Sequence, residues 1–299
     1  MNHAFVKEEI SDLMIKIDFP KEAQHVLCSA LDKILADNLL ASRFDALLSV
    51  YDENKDCDYK ALVAESADIA ASVGIHSYTS QMLLYLALGK RLKERYAELG
   101  IDESIFYASM CDLRYKLEEC RLVYGEVGSF TNNWFQGFYD LSRFALGRLQ
   151  FEIRELAIDC TLNGKELLKG TPVINMHIPR TGGPLDHDEV LAAYDAAASF
   201  FRDKINGDII FHCSSWLLDP WNVTVLKPTS NLVAFYNDFT IVQADVQADY
   251  SAAWRLFDKQ YNGNADELPA DSSLRRAYIS RIKAGEPFGW GRGLFFYKE

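Results

Sequence analysis

Hydrophobic and polar positions along this chain follow two different periods. Up to about residue 147 the apolar residues recur every three to four positions. In ESIFYASMCDLRYKLEECRLVYG, Phe106, Met110, Leu113, Leu117, Cys120 and Tyr124 form one stripe, as on a helix packed along one face. FPKEAQHVLCSALDKILADN begins with Pro20 near a helix N-terminus and Glu22 in the first turn. SYTSQMLLYLALGKRLKERYAELG has a Ser/Thr opening, a basic last turn and Gly100 as a stop, which suits the capping and dipole preferences of a helix. Strand-like alternation is almost absent, so residues 1–147 are expected to form an all-α bundle.

From residue 148 the period changes. LQFEIRELAID reads as a strand, Asn163-Gly164 as a hairpin turn, and TPVINMHIP as a second long strand. HDEVLAAYDAAASFFRDKI reads as a helix and GDIIFHC as a third strand. SSWLLDP opens a short helix that Pro220 helps to end. NLVAFYNDFTIVQADVQ and GRGLFFYKE predict further strands, with SSLRRAYISRIKAG as a helix between them. The fold class is therefore an all-helical domain over 1–147, then an α/β or α+β domain over 148–299 with a mixed sheet and flanking helices. No repeat or low-complexity linker separates them, and the junction is expected near FTNNWFQGFYDLSRFALGRLQFEIRE.

Composition narrows the function classes. Hydrophobic content of 49% in 299 residues is enough for full cores, and no apolar run reaches membrane-spanning length. The acidic N-terminus MNHAFVKEEISDLM has no apolar signal region, so a cytoplasmic location is expected. The net charge of −12 argues against nucleic acid or anionic membrane as partner. The six cysteines form no CxxC pair and read as reduced thiols, and His177 and His212 lack a third ligand for a metal.

The candidate chemistry lies after the strand PVINMHIP. PRTGGP places Arg180, Thr181, Gly182 and Gly183 between a strand and a helix N-terminus, where backbone N–H groups and a dipole can hold phosphate. Pro184 has no N–H, and Asp186, Asp188 and Glu189 put negative charge in the first helical turn. A phosphate cradle and a tight connection both fit these residues. Asn175 and His177 share one strand face, while Ile174, Met176 and Ile178 share the other. On the next strand His212 and Ser214 lie on one face, and Cys213 and Ser215 on the other. Each histidine therefore sits near a C-terminal strand end, where it can serve as a general base or belong to a structural hydrogen-bond network. Cys213 is a candidate nucleophile or a buried structural thiol. Ser215 suits an N-cap for WLLD. Trp134 and Arg143 sit in an aromatic and arginine-rich junction. Glu152 shares a strand face with Arg154, to pair with it or to face a substrate amine.

GRLQFEIRE, PVINMHIPRTGGPLDHDEVLAAYDAAASFF, FHCSSWLLDP and SNLVAFYNDFTIV resemble a bacterial acyltransferase family with a helical N-terminal domain and a GNAT-like C-terminal domain. The resemblance covers nearly the whole chain and is strongest over 134–240. It implies an acyl-CoA, acetyl-CoA foremost, lying between two splayed strands at 173–179 and 208–213. Its pyrophosphate would meet Arg180, Thr181, Gly182 and Gly183, and its thioester the backbone near Met176 and Ile178. GNAT enzymes generally carry R/Q-x-x-G-x-G/A in this loop, and Arg180-Thr181-Gly182-Gly183-Pro184 is shorter. The implied reaction is direct attack of an amine, on a small molecule or a peptide, on the thioester. His177 or His212 would be the base, Cys213 or Ser215 the proton donor to the thiolate, and Trp134, Arg143 and Glu152 would shape the acceptor site. The alternative is a non-catalytic GNAT-like scaffold whose helical domain recognises a partner.

Overall fold

The computed structural model describes residues 3–131, 133–247 and 249–298. Met1 and Asn2 of the acidic N-terminal stretch, and Glu299 of the last expected strand, lie outside them. The chain divides into two compact units, Met1–Phe144 and Ala145–Glu299.

The first unit is built from six long helices, α1 (His3–Lys16), α2 (Lys21–Leu35), α3 (Asn38–Glu53), α4 (Tyr59–Ala71), α5 (Ser77–Glu98) and α6 (Glu103–Tyr124), followed by one turn, α7 (Gln136–Tyr139). The middle of α5 is apolar on all sides, and Met82 to Gly89 are all buried. An element of that kind has to be enclosed. The helix packs against α1, α2, α3, α4 and α6. Local signals set the ends. Asp37 and Asp102 cap α3 and α6 with their carboxylates, and Gly125 closes α6 in the left-handed conformation at φ 73°. The Ser/Thr opening expected for α5 lies inside it, because His76 Nδ1 accepts from Tyr78 N–H at 3.1 Å and is the cap.

The second unit carries β2 (Leu149–Glu155), β3 (Cys160–Leu162), β4 (Lys165–Leu167), β5 (Pro172–His177), α8 (His187–Phe201), β6 (Ile210–Ser215), α9 (Asn222–Val225), α10 (Asn231–Asn237), β7 (Thr240–Val246), α11 (Trp254–Phe257), α12 (Ser273–Lys283) and β8 (Gly289–Phe296). With β1 (Arg143–Leu146), which spans the division, they give a six-stranded sheet of order β1-β2-β5-β6-β8-β7 and the separate hairpin β3-β4. Two expectations are corrected. Residues 143–146, at the end of the stretch expected to be helical, form a strand, since RFAL is buried at every position and too short to show alternation. NLVAFYN is helical, because Ser230 caps it by accepting from Leu232 N–H.

One face of the sheet is covered by α8. Tyr194 on that helix meets the rings of Phe211 and Phe295, and Phe151 packs on Phe211. The opposite face is split along its length. Towards one end, Leu162 and Leu167 of the hairpin cover Val173, Ile210 and Leu294. Further along β5 and β6 the same face carries polar residues. A second core, around Phe257, Tyr278, Ile282 and Phe288, gathers α11 and α12.

Candidate active site

The polar end of this face follows from strand register. β2 and β5 pair antiparallel with Gln150 opposite His177 and Glu152 opposite Asn175, so these side chains stand together. β5 and β6 run parallel, and only two residue pairs are in register between them, Ile174 with Phe211 and Asn175 with His212. Each strand is six residues long. The paired register therefore ends at Asn175 and His212, while β5 runs on to His177 and β6 to Ser215; this end of the register is called the fork of the two strands.

Five side chains meet at this fork. His177 Nε2 lies 2.7 Å from Glu152 Oε1, and Asn175 Nδ2 donates to the same oxygen at 3.2 Å. Asn175 Oδ1 lies 2.7 Å from His212 Nδ1. Arg154 completes the group, with Nε 3.0 Å from Glu152 Oε1. Asn175 Nδ2 also lies 3.1 Å from His177 Nε2, so that nitrogen meets both a donor and an acceptor, and the nearer carboxylate at 2.7 Å decides the tautomer. His177 donates from Nε2 to the carboxylate, and His212 donates from Nδ1 to the amide oxygen. The lone pairs then lie on His177 Nδ1 and His212 Nε2.

The two histidines differ in setting. Burial, reinforced by Arg292 and His177, pushes His212 down to about 4, so it is neutral at ordinary pH. The His177 side chain is 25% exposed and backed by a Glu152 carboxylate that is 2% exposed. A carboxylate behind an imidazole holds the ring in one tautomer and orientation and stabilises the imidazolium that proton transfer creates. His177 is therefore the more exposed imidazole with a carboxylate behind it, and His212 the buried, neutral one.

Other candidates fall elsewhere. Cys213 is fully buried on the α8 side of the sheet, away from both imidazoles, and burial pushes its thiol up to about 12. As nucleophile or proton donor it is corrected: a buried thiol of this kind stays protonated and cannot reach the fork. Ser215 accepts from Leu217 N–H at 3.1 Å and caps the short turn Trp216–Leu218. Met176 is buried on the α8 side, and Ile178 follows where β5 ends.

In the helical unit, Arg143 lies over the Trp134 ring at 4.2 Å and donates to its carbonyl at 2.9 Å, while Trp134 Nε1 donates to buried Asp112 at 2.6 Å. Arg143 is buried there and Trp134 half-buried, each held by these contacts. Of the two expectations for Glu152, pairing with Arg154 or facing a substrate amine, the side chain pairs with Arg154 and stands behind His177.

The loop after β5 is held from two sides. Arg180 makes a bidentate pair with Asp258, whose other cation is Arg275 at 2.5 Å. Arg148 donates to the carbonyl of Pro179 at 3.1 Å. Gly182 has φ +82°, and a Cβ there would meet nothing within 4 Å, so the glycine is required by its backbone and the space beside it is open. Gly183 N–H lies 3.4 Å from Thr181 Oγ1. The α8 N-terminus is already capped, because Asp186 accepts from the N–H groups of Asp188 and Glu189. The two readings of PRTGGP thus separate. The helix end takes its own carboxylate, and the open space lies beside Gly182.

Sequence reasoning placed Asn175 only on a strand face and Asp186 only among the acidic residues of the first helical turn, and gave no role to Asp258. The alternation that placed Asn175 with His177 was a usable signal for the first. The role of Asp258 depends on a contact between distant segments, whereas Asp186 acts locally as the cap of its own helix.

Residues 8–141 match the model of the N-acyltransferase N-terminal domain, and residues 143–295 that of the GNAT-like C-terminal domain. The chain belongs to the family of N-acyltransferases with a GNAT-like C-terminal domain. No curated protein matches it significantly. Among solved structures it is similar to an acyltransferase in complex with decanoyl-CoA, at 23% identity over 97% of this chain and 88% of that one, with a TM-score of 0.73. The same coverage and identity hold for an acyltransferase in complex with decanoyl-CoA and teicoplanin, at 0.72, and for a tryptophan-to-alanine acyltransferase mutant in complex with octanoyl-CoA, at 0.71. Among the described residues, no group of three or more His, Cys, Asp or Glu side chains is placed to hold a metal ion. No helix there is long and apolar enough to cross a membrane.

Proposed function

We propose that this chain is an acyl-CoA-dependent N-acyltransferase that moves an acyl group directly to an amine, with His177 as general base. The observation that carries this reading is the buried Glu152 carboxylate behind His177 at the point where β5 and β6 part. Acyl-CoA, when bound, supplies the acyl group as an activated thioester. The chain's own residues fit its two ends differently. The fork beyond Asn175 and His212 suits the acyl and pantetheine portion, with the backbone of Met176 and Ile178 beside it. The pyrophosphate falls to Arg180–Gly183, since Asp186 occupies the helix end.

In this mechanism His177 Nδ1 takes the proton of the acceptor amine as its nitrogen attacks the thioester carbonyl. The carbon–nitrogen bond forms, the carbon–sulfur bond breaks, and the electron pair leaves on sulfur. Backbone N–H groups of β5 beyond Asn175 steady the oxyanion. His177, then an imidazolium beside Glu152, can return its proton to the thiolate, a role that Ser215 shares less readily because its hydroxyl caps a turn. His212, neutral and donating from Nδ1, holds Asn175 and through it the Glu152–His177 pair. The octanoyl and decanoyl donors of the similar structures support a medium-length acyl chain over acetyl, and the teicoplanin complex supports an amine on a peptidic small molecule. A small-molecule or peptidyl acceptor and a soluble cytoplasmic setting remain our reading.

Calorimetric titration with CoA, acetyl-CoA, octanoyl-CoA and decanoyl-CoA tests this, followed by thiol release with an amine panel. Binding that strengthens with chain length, and turnover lost in His177→Ala, is the expected result. No binding of any of the four at millimolar concentration overturns it in favour of a non-catalytic scaffold.

A further inference from the structure

Arg292 lies on the same sheet face as the histidines. In β8 it is directly opposite Ser214, and Leu294 is opposite His212. Arg292 is thus the diagonal neighbour of His212, at about 7–8 Å for such a position. It is close enough to bear on that imidazole electrostatically. Its neighbours leave most of its hydrogen-bonding capacity unused. NH1 donates to the amide oxygen of Gln243 at 2.8 Å. Nε is shielded from solvent and has no hydrogen-bond partner among the described residues. No carboxylate of the described residues lies within ion-pair distance of Arg292, although Glu152, Asp219 and Asp258 all hold arginines in this unit. Arg292 is half-buried, and the terminal nitrogens of its planar fork, with no carboxylate of the described residues paired to them, match a carboxylate.

The geometry points to Arg292 as the anchor for a carboxylate on the amine acceptor, which makes the acceptor class an amino acid or a peptide-like amine with a nearby free carboxyl group. The inference rests on the acyltransferase reading. Arg292 and His212 then flank the fork, so a carboxylate on Arg292 sets the amine beside His177. Gln243, held by NH1, keeps the guanidinium facing the same side.

The test uses calorimetry on the full chain with saturating CoA and two product-like probes, N-octanoylglycine and its neutral amide. The acid is expected to bind about tenfold or more tightly than the amide, the range of a charge-assisted pair. Arg292→Gln should remove that preference and leave amide and CoA binding unchanged, and Arg292→Lys should restore part of it. A second arm compares glutaryl-CoA with butyryl-CoA, since a carboxylate could also belong to the acyl group. Equal binding of acid and amide, a preference that survives Arg292→Gln, or an Arg292 effect confined to glutaryl-CoA each overturns the acceptor assignment. Failure of CoA itself to bind overturns the acyltransferase reading and this inference with it, whereas CoA binding without acid preference overturns this inference alone.

Discussion

His177 and Glu152 are twenty-five residues apart, yet Nε2 and Oε1 meet at 2.7 Å as diagonal partners across β2 and β5. The carboxylate sits behind the ring and Asn175 bridges to His212, so the site is a connected chain of side chains and not a set of separate groups. Removing one member leaves its neighbours with unmet hydrogen bonds.

His177→Ala is expected to lower kcat about 10²- to 10⁴-fold, the contribution of a general base, with acyl-CoA affinity unchanged. Glu152→Gln keeps the shape and removes the charge, and is expected to cost roughly tenfold to a hundredfold in kcat. The double variant should be little worse than His177→Ala, because the two act as a unit. Steady-state kinetics together with donor titration check this; additive losses would show that Glu152 serves only folding.

The lowered pKa of His212 has a consequence for stability. The folded state binds the proton at about 4, against an ordinary value of 6.5 in the unfolded chain. Between those values the unfolded state holds more protons, so stability is full above about 6.5 and falls as pH drops toward 4. The loss reaches at most about 3 kcal/mol for a shift of this size. Denaturant melts of the wild type and His212→Gln from pH 7 to 4 check it. The variant should lose less stability over that range, and parallel curves would remove His212 from the account.

Asp186 caps α8 and places negative charge where a pyrophosphate would approach. Asp186→Ser keeps a capping oxygen and removes the charge, so CoA affinity is expected to rise a few-fold with little change in stability. Asp186→Ala removes the cap and should cost about 1 kcal/mol. Gly182→Asp adds bulk and charge at a left-handed position and should weaken CoA binding. Titration of the three variants with CoA checks the assignment of the loop; unchanged affinity in all of them places the pyrophosphate elsewhere.

Asp219 and Arg281 form a buried pair at 2.6 Å, each side chain 7% exposed, and Asp219 also accepts from Gly289 N–H. Arg281→Met leaves the carboxylate uncompensated and should cost roughly 3–5 kcal/mol. Gly289→Ala places a Cβ 2.4 Å from the same carboxylate and should also lower the melting midpoint. Thermal melts of the two variants check this, and a midpoint within one degree of wild type in both contradicts it.

The sequence by itself determined the elements and their faces. Helical period set α5 and α6, the Asn163-Gly164 turn set the β3-β4 hairpin, and alternation put His177 beside Asn175 and Cys213 opposite His212. These are local properties, fixed by spacing along a few residues. Short buried segments such as RFAL and NLVAFYN were misread because four to seven apolar residues carry no decisive period. The tertiary structure alone decided which strands are neighbours, and with that everything about the site. Order and register brought Glu152 behind His177, ended the β5-β6 ladder at Asn175 and His212, and set Arg292 beside them. It also gave Arg180 to Asp258. Pairings between residues 20 to 140 positions apart depend on which backbones hydrogen-bond across the sheet, and no local pattern encodes that choice.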